Sequence, residues 1–388
     1  MLCILKVPNL RFPGFEGEWE AKKLGEIARF SKGKGISKAE IEENGKTECI
    51  RYGELYTTYN EIIDTVISKT NTELNKLILS EENDIIIPAS GETQIDIATA
   101  SCLMKSGVAL GGDLNIIKTP LNGIFLSYYL NSKKKIEIAN LAQGISVVHL
   151  YSSQLSTLEI NYPLLQEQSK IAGFLSLCET RIQQSSKIIE GLKSFKSATS
   201  KKIFSQELRF KDDNGEDFAE WEEKTLRDCL NYEQPTNYLV ASTEYENKFE
   251  TPVVTAGKTF ILGYTNETTG IFDKNLPVII FDDFTTSTQF VSFPFKAKSS
   301  AMKILKAKKG LNIRFVYEAM QMINYEIGGH GRHWISVFEK LEILIPSIPE
   351  QTKIANFLSG IDEKIDLETS LLQQLKLQKQ YLLQQMFM

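Results

Sequence analysis

The stretch LEINYPLLQEQSKIAGFLSLCETRI (Leu158–Ile182) returns 183 positions later as LEILIPSIPEQTKIANFLSGIDEKI (Leu341–Ile365). Thirteen of the 25 aligned positions are identical, whereas about one or two would match by chance at average amino-acid frequencies. The chain is therefore a tandem duplication. One long period of this kind indicates two similar domains rather than a solenoid of short repeats.

Each copy predicts a short strand that ends at a proline, followed by a long helix. After Pro163 and Pro346, apolar positions recur at alternating spacings of three and four residues, which is typical of a coiled-coil seam. Because each seam is narrow, we expect each helix to pair with one partner helix. The predicted seam positions are Ile171, Leu175, Cys178, Ile182, Ser185, Ile189, Leu192, Lys196, Thr199 and Ile203, then Ile354, Leu358, Ile361, Ile365, Glu368, Leu372, Leu375, Lys379, Leu382 and Met386.

A second, shorter repeat predicts an arm ahead of each domain. The motif Leu-Arg-Phe and a tryptophan occur both in PNLRFPGFEGEWEAKKL at 8–24 and in ELRFKDDNGEDFAEWEEKTL at 207–226. Strand and helix patterns follow each arm, with little identity between the copies. We predict strands at Ile85–Pro88, Leu155–Ile160, Val278–Phe281 and Leu341–Ile345, and helices at Phe125–Ile138 and Phe315–Ile323. The predicted order is an arm (1–18), a mixed domain (19–163), a long helix (164–206), a linker arm (207–220), a second mixed domain (221–346) and a long helix (347–388).

Composition narrows the class of protein. A hydrophobic content of 42% with 24% charged residues is ordinary for a globular protein. No apolar run approaches the roughly 20 residues of a membrane span, so we expect a cytoplasmic protein with no membrane association. Five cysteines without a C-x-x-C pair indicate reduced thiols. The net charge of −5 argues against coating nucleic acid by bulk attraction, but it allows local basic patches.

The sequence offers no catalytic constellation. It contains neither a G-x-x-x-x-G-K-[ST] phosphate loop nor a G-x-S-x-G nucleophile elbow. Asn161-Tyr162-Pro163-Leu164 resembles the Asn-Pro-Pro-aromatic loop of amino-methyltransferases, but its proline and aromatic residue are in the wrong order. Asp282-Asp283 fits either a metal-binding carboxylate pair or a strand-end turn, and we favour the turn. We predict no catalytic residue and no metal site.

The arm, the duplicated helix start and the terminal LKLQKQYLLQQMF, echoed by LKSFKSATSKKIF at Leu192–Phe204, resemble one family over nearly the whole chain. That family is the specificity (S) subunit of type I restriction-modification systems. The resemblance implies an α+β fold in which two α/β target-recognition domains are separated by two long antiparallel coiled-coil helices, with an internal pseudo-two-fold repeat. Helices of about 35 residues would be roughly 50 Å long, more than the ~34 Å between half-sites one DNA turn apart.

The same resemblance implies the partners. Each domain would bind one half of a split target in double-stranded DNA, and the helices would dock two adenine-N6 methyltransferase (M) subunits, which two restriction/motor (R) subunits can then join. An S subunit is non-catalytic and has no cofactor in its own chain. The complex that this chain resembles uses S-adenosylmethionine, ATP and Mg on the partner subunits.

DNA contacts are expected from the loops that follow the central strand and precede the closing strand of each domain, because polar side chains at base edges and phosphates provide recognition. We single out Arg332 first, since flanking glycines allow close approach to a groove. In the first domain these loops contribute Ser90, Glu92, Gln94, Gln143, Ser146 and His149, and the Gly-rich SKGKG turn adds Lys32 and Lys34 as phosphate contacts. In the second domain the loops contribute Thr285, Thr286, Ser287, Gln289, His330, Arg332 and His333, and the TAGKT turn adds Lys258.

Three cationic clusters have two interpretations each: a solvated surface or a set of phosphate contacts. They are Lys196, Lys201, Lys202, Arg209 and Lys211 after Ser194 of the first long helix, Lys133-Lys134-Lys135 in the first domain, and Lys296, Lys298, Lys303, Lys306, Lys308, Lys309 and Arg314 in the second.

Two other functions compete with a DNA-specificity subunit. One is a self-contained DNA methyltransferase, against which the missing cofactor-binding and amino-methyltransferase motifs count. The other is a non-catalytic coiled-coil scaffold or DNA mimic, which the acidic net charge favours.

Overall fold

The computed structural model describes residues 7–257, 259–325 and 331–388, which form two compact units. Unit 1 comprises the chain up to Ser186 together with Ser370–Met388, and unit 2 comprises Lys187–Thr369. Each unit therefore combines one mixed domain with a segment of each long helix.

Two long helices dominate the helical part of the chain: α7 has 40 residues and α10 has 39. The helices are α1 (Leu24–Ile27), α2 (Glu54–Thr57), α3 (Gln94–Ile97), α4 (Gly123–Ser132), α5 (Lys135–Leu141), α6 (Ser152–Leu155), α7 (Leu165–Phe204), α8 (Leu226–Cys229), α9 (Ile313–Gln321) and α10 (Ile348–Met386). Within the described ranges, no helix has both the length and the apolar character needed to cross a membrane.

Unit 1 contains a five-stranded sheet in the order β2-β10-β6-β8-β4, a three-stranded sheet β5-β3-β9, and the pairs β1-β12 and β7-β11. Its strands are β1 (Glu20–Lys23), β2 (Arg29–Lys32), β3 (Thr47–Ile50), β4 (Ile62–Ile63), β5 (Ser68–Thr70), β6 (Asp84–Pro88), β7 (Ser90–Gly91), β8 (Ser101–Leu103), β9 (Ala109–Leu110), β10 (Leu114–Lys118), β11 (Val148–His149) and β12 (Glu159–Tyr162).

Unit 2 contains a four-stranded sheet β14-β20-β17-β18, a three-stranded sheet β16-β15-β19 and the pair β13-β21. Its strands are β13 (Glu222–Thr225), β14 (Leu230–Glu233), β15 (Thr251–Val254), β16 (Ile261–Thr265), β17 (Val278–Asp282), β18 (Thr288–Val291), β19 (Lys296–Ala297), β20 (Met302–Ala307) and β21 (Glu342–Ile345).

The two domains share a scaffold of antiparallel strands. The order β2-β10-β6-β8 in unit 1 matches β14-β20-β17-β18 in unit 2, and every neighbouring pair in both runs is antiparallel. In both units the entry strand also pairs antiparallel with the closing strand. The duplication predicted from the helix repeat therefore extends through the central sheets, and the predicted α+β fold is confirmed.

Most predicted elements are confirmed, and two are displaced. The strands at Ile85–Pro88 and Val278–Phe281 correspond to β6 and β17. The predicted helix at Phe125–Ile138 is split into α4 and α5, with Lys133 and Lys134 between them.

The closing strand of the first domain starts later than predicted. Residues Leu155–Ile160 were expected to form it, but Leu155 is the last residue of α6 and the strand β12 begins at Glu159. The first turn of α6 is capped by Gln154, whose Oε1 atom accepts a hydrogen bond from the Tyr151 amide at 2.8 Å.

Both coiled-coil seams are confirmed, because all twenty predicted positions are buried or half-buried. In unit 1, Ile171 and Leu175 of α7 join the core that contains Leu382 and Met386 of α10. Since low numbers on one helix meet high numbers on the other, the two helix segments of unit 1 run antiparallel. Ile203 and Ile354 share the core of unit 2 in the same sense.

The repeated Glu-Gln at each helix start joins three parts of its unit. Glu167, 1% exposed, accepts hydrogen bonds from Nε and Nη2 of Arg11 at 2.8 and 2.7 Å. Glu350, 0% exposed, accepts from Nη2 of Arg209 at 3.0 Å and from the Trp221 indole at 3.1 Å. These carboxylates raise the pKa of both guanidinium groups. Each arm is thus fixed to the first turn of a long helix, where the helix dipole also favours a carboxylate.

The neighbouring glutamines connect the domains to the same turns. Gln168 accepts from the Asn122 amide at 2.9 Å and donates to the Pro163 carbonyl at 2.8 Å. Gln351 makes the same two bonds, to Asn312 and Pro346, at 2.9 and 2.8 Å. Since Asn122 and Asn312 cap α4 and α9, one amide links the closing strand, the domain helix and the long helix.

Two lysines related by the repeat act as clamps in the seam. Lys379 contacts Glu179 at 2.8 Å and Glu61 at 3.1 Å in unit 1. Burial lowers the pKa of Lys379, but the two carboxylates outweigh it and the pKa is raised. Lys196 contacts Asp362 at 2.7 Å and Glu318 at 3.1 Å in unit 2. Each lysine therefore ties one helix both to the other helix and to the domain.

We predict that Glu350→Ala destabilises the protein by about 3–5 kcal/mol, because it leaves the Arg209 guanidinium and the Trp221 indole without their buried acceptor. Urea unfolding followed by tryptophan fluorescence measures the loss. Asp217→Ala, which removes the exposed partner of Lys211, is the control and should change little. Equal unfolding midpoints for the two variants would contradict the anchoring role of Glu350.

Candidate nucleic-acid interface

The two predicted DNA-binding loops of the first domain meet in one small sheet. Strand β7 pairs with β11, so that Ser90 lies opposite His149 and Gly91 opposite Val148. The side chain of Gln94, the first residue of α3, donates to the Ala142 carbonyl at 3.3 Å. The structure therefore brings together the exposed candidates Glu92, Gln94, Gln143, Ser146 and His149.

Lys32 adds a cation to this surface through an aromatic residue that the sequence analysis missed. The Lys32 Nζ atom lies 5.6 Å from the ring centroid of Tyr151, and this ring stacks on His149 at 6.3 Å. Tyr151 is 45% exposed. Its position beside His149 in the stretch QGISVVHLYSS was the available signal, since aromatic residues interleaved with cations and amides are typical of nucleic-acid surfaces.

Lys34 is exposed on a turn that glycine makes possible. A Cβ atom on the preceding Gly33 would lie 1.9 Å from the Gly111 carbonyl oxygen, so the backbone there tolerates no side chain. The Lys34 amide donates to the Leu110 carbonyl at 2.9 Å. The turn that holds Lys34 is therefore fixed against the sheet.

Two candidates lie inside the protein, which corrects the expectation that they occupy exposed loops. Ser90 is 5% exposed, and its strand β7 pairs with β11. His333 is 6% exposed and packs on Tyr325, whose hydroxyl lies 3.3 Å from Nδ1 of the histidine. In both cases strand pairing or ring packing covers the side chain, and we remove both from the set of exposed candidates.

In unit 2 the polar residues after the central strand form a tight hairpin between β17 and β18. Oδ1 of Asp282 accepts from the amides of Phe284 and Thr285 at 2.9 and 2.8 Å, and Thr286 adopts a φ of 57°. Thr285 is exposed, whereas Thr286, Ser287 and Gln289 are half-buried. The hairpin presents one edge of the central sheet to solvent.

Asp283 anchors the segment that carries Arg332. Its carbonyl accepts from the His333 amide at 2.9 Å, and Oδ1 accepts from the Trp334 amide at 2.8 Å. Oδ2 pairs with the buried Lys303 at 3.0 Å. Arg332 itself is exposed at the edge of this anchored segment. The candidates Lys258 and His330 lie outside the described residues.

Asp282 caps a turn, as the strand-end interpretation predicts, whereas Asp283 forms a buried ion pair with Lys303 that the sequence did not predict. Within residues 7–257, 259–325 and 331–388, no group of three His, Cys, Asp or Glu is placed to hold a metal.

The described cysteines are free thiols, and burial raises the pKa of Cys49 to about 11 and that of Cys102 to about 12.

Part of the predicted cationic surface makes contacts within the protein, and neither proposed interpretation holds for the two lysines of the second domain that are buried. Lys296 and Lys303 are buried and pair with Glu267 and Asp283. Four other members of the clusters pair with acids: Lys306 with Glu233, Arg314 with Glu318, Lys196 with Asp362, and Arg209 with Glu350. Lys308 and Lys133 donate to the backbone carbonyls of Arg227 and Gln384 and keep their charge unpaired in these contacts.

Comparison with known proteins identifies the family to which this chain belongs. Residues 16–194 and 219–377 each match the family described as Type I restriction modification DNA specificity domain. The chain belongs to this DNA specificity family. The two matches correspond to the two copies of the repeat, each including a mixed domain and most of the following long helix.

Individual relatives agree with the family. The chain is 45% identical over 161 residues to the type I restriction enzyme EcoR124I/EcoR124II specificity subunit of Escherichia coli. This aligned segment covers 40% of each protein. It is 27% identical over 237 residues to the MjaVIII specificity subunit of Methanocaldococcus jannaschii, which is 59% of this chain and 53% of that protein. The chain therefore matches less than two thirds of the length of each of these two relatives.

A solved structure shows the same fold along the whole chain. The type I restriction-modification S subunit from M. genitalium superposes with a TM-score of 0.72 at 19% identity, covering 98% of this chain and 99% of that one. The DNA specificity fold therefore includes both units.

We predict that Asp283→Ala releases the segment that carries Arg332 and destabilises the protein by about 3–5 kcal/mol, since Lys303 loses its buried partner. Hydrogen exchange at the Trp334 amide should accelerate, because this amide loses its acceptor. Asp283→Asn retains the Oδ1 acceptor and is the matched control. Unchanged exchange in the alanine variant would contradict the anchoring role.

Proposed function

We propose that this chain is the DNA-specificity subunit of a type I restriction-modification complex. Each unit binds one half of a split target in double-stranded DNA, and the chain docks M subunits that perform adenine-N6 methylation with S-adenosylmethionine. R subunits, which use ATP and Mg, can join the complex. The chain is non-catalytic and acts in the cytoplasm. One observation carries this proposal: the same scaffold contacts occur twice, whereas the exposed polar surfaces differ.

The scaffold contacts are equivalent in kind and in position. Arg11–Glu167 and Arg209–Glu350 fix the arms, Gln168 and Gln351 fix the domain helices, and Lys379 and Lys196 clamp the seams. The exposed candidates have no such correspondence: unit 1 presents Lys32, Gln94 and Gln143, and unit 2 presents Thr285 and Arg332. Two differing surfaces on one repeated frame suit recognition of two different half-targets.

The competing functions have less support. A self-contained methyltransferase requires catalytic and cofactor-binding motifs, which the sequence does not contain. A DNA mimic requires an acidic surface in place of the DNA, whereas the candidate interface of unit 1 presents amides and cations and that of unit 2 presents a hydroxyl and a cation.

The partner surface is also duplicated. Leu10 and Leu208, the leucines of the two arms, are 43% and 42% exposed. Leu165 and Ile348, the first residues of α7 and α10, are likewise exposed. In each unit this arm and helix start are joined through the buried carboxylate. One apolar patch of equivalent composition per unit supports docking of two copies of the same subunit.

Selection from randomised duplexes tests DNA recognition. The full chain is co-expressed with a type I M subunit, and the purified complex is used to enrich bound DNA. We expect one motif with two fixed halves and a fixed gap. Enrichment of unrelated sequences, or binding that is equal for all duplexes at every salt concentration, would contradict the proposal.

We predict that Arg332→Ala weakens binding to the half-site of unit 2 by about 1–3 kcal/mol, since a guanidinium can donate two hydrogen bonds to one base. Arg332→Lys keeps the charge and loses the planar fork, so it should not restore discrimination. Titration against duplexes altered in one half-site measures the effect. Full recovery in the lysine variant would indicate a phosphate contact instead.

We predict that Ile348→Asp leaves one M subunit per chain, because a carboxylate in an apolar contact loses its hydration. Leu165→Asp should act in the same way at the other patch, and the double variant should bind none. Light scattering of the purified complex gives the stoichiometry. Ile136→Asp, at an exposed isoleucine of α5, is the control, and two M subunits bound to both single variants would contradict this docking surface.

A further inference from the structure

An apolar side chain projects from the loop that closes the candidate interface of unit 1. Ile145 is 99% exposed, and the adjacent Val147 is 52% exposed. The loop that carries them is closed by two backbone hydrogen bonds between Gln143 and His149, at 2.9 and 2.7 Å. Isolated exposed apolar residues are common on protein surfaces, so exposure alone assigns no role to Ile145.

The loop geometry holds Ile145 outward. Gly144 has a φ of 129°, and a Cβ atom there would lie 2.0 Å from the Val147 carbonyl oxygen. At the base of the loop, Val148 and Leu150 are buried in the core of unit 1. The Leu150 amide donates to the Ala89 carbonyl at 3.0 Å. Because the loop is tight and its base is fixed, Ile145 cannot reach the core by a local movement.

The surroundings of Ile145 suit a DNA groove better than a protein partner. Lys32, Gln143 and His149 lie on the same surface, with the Tyr151 ring between Lys32 and His149. Lysine is depleted in protein interfaces. In the major groove, by contrast, amides bind adenine, cations bind phosphate, and apolar side chains contact the 5-methyl group of thymine.

Unit 2 also presents an exposed isoleucine, although not at the position that the 183-residue repeat makes equivalent. Ile145-Ser146-Val147 recurs 190 positions later as Ile335-Ser336-Val337. The Leu150 amide donates to the Ala89 carbonyl and the His333 amide to the Asp283 carbonyl, so Ile145 precedes this shared contact and Ile335 follows it. Ile335 is 51% exposed, directly after Trp334, which is buried and held by Asp283. Both units therefore hold an exposed isoleucine on a fixed base beside their candidate DNA-binding residues.

We propose that Ile145 and Ile335 are specificity-determining residues that contact a thymine 5-methyl group, each in the half-site of its own unit. This inference rests on the proposed DNA-recognition function. It predicts that each half-site contains an A·T pair whose recognition depends on the methyl group rather than on base pairing.

Uracil substitution tests the inference, because uracil differs from thymine only in lacking the 5-methyl group. With the selected motif, each thymine of a half-site is replaced in turn by uracil, and the affinity of the complex of full chain and M subunit is measured. One replacement per half-site should weaken binding about fourfold, the effect of burying one methyl group. Ile145→Ser should weaken binding to the thymine duplex by a similar factor.

The variant and the base change must also be coupled. Ile145→Ser should abolish the uracil effect in the half-site of unit 1 and leave that of unit 2 intact, whereas Ile335→Ser should do the reverse. Ile136→Ser is the matched control, since Ile136 is 64% exposed in the same unit, and it should leave both effects unchanged.

Three results would overturn the inference. Uracil effects that persist in the serine variants would exclude a methyl contact, and equal weakening on every sequence would indicate a nonspecific contact. Loss of the M subunit would indicate a protein contact. If the unaltered complex selects no motif, the proposed function fails as well, so the two failures are distinguishable.

Discussion

A buried carboxylate at the first turn of each long helix is the contact on which the rest of each unit depends. Glu167 and Glu350 are almost fully removed from solvent, and each is neutralised by one arginine from the arm. A buried carboxylate without a partner is costly, so the arm cannot leave without destabilising the helix start. The adjacent glutamine extends this junction to the domain helix and the closing strand. One Glu-Gln pair in each unit thereby connects the arm, the mixed domain and the long helix.

Charge is used mainly to build the protein rather than to attract DNA. Lys196, Lys303 and Lys379 each hold two elements together through acids, and these pairs consume cations that would otherwise form a basic surface. The exposed candidates are mixed in chemistry: two lysines, an arginine, two glutamines, a glutamate, a histidine and two hydroxyl side chains, to which the structure adds Tyr151. Such a surface supplies limited bulk attraction, and selectivity must come from the positions of individual side chains on fixed loops.

The sequence predicted the duplication, the helix seams and the central strands, because these depend on local periodicity and on a repeat that can be counted. It did not predict the partners of the cations. Lys196 meets Glu318, which is 122 positions away, and no local pattern reveals such a pair. The burial of Ser90 and His333 has the same origin, since β11 covers the strand of Ser90 and Tyr325 packs against the ring of His333. Tyr151 was missed because its role depends on Lys32 from a distant strand.

We propose that this chain directs a complex to a target in two halves, one for each unit. The test is to map methylated adenines after co-expressing this chain with a type I M subunit in a host without its own adenine methylation. We expect methylation at a single split motif with a fixed gap, and replacement of one mixed domain should change one half only. Methylation at a contiguous motif, or a pattern that is the same without the chain, would contradict it.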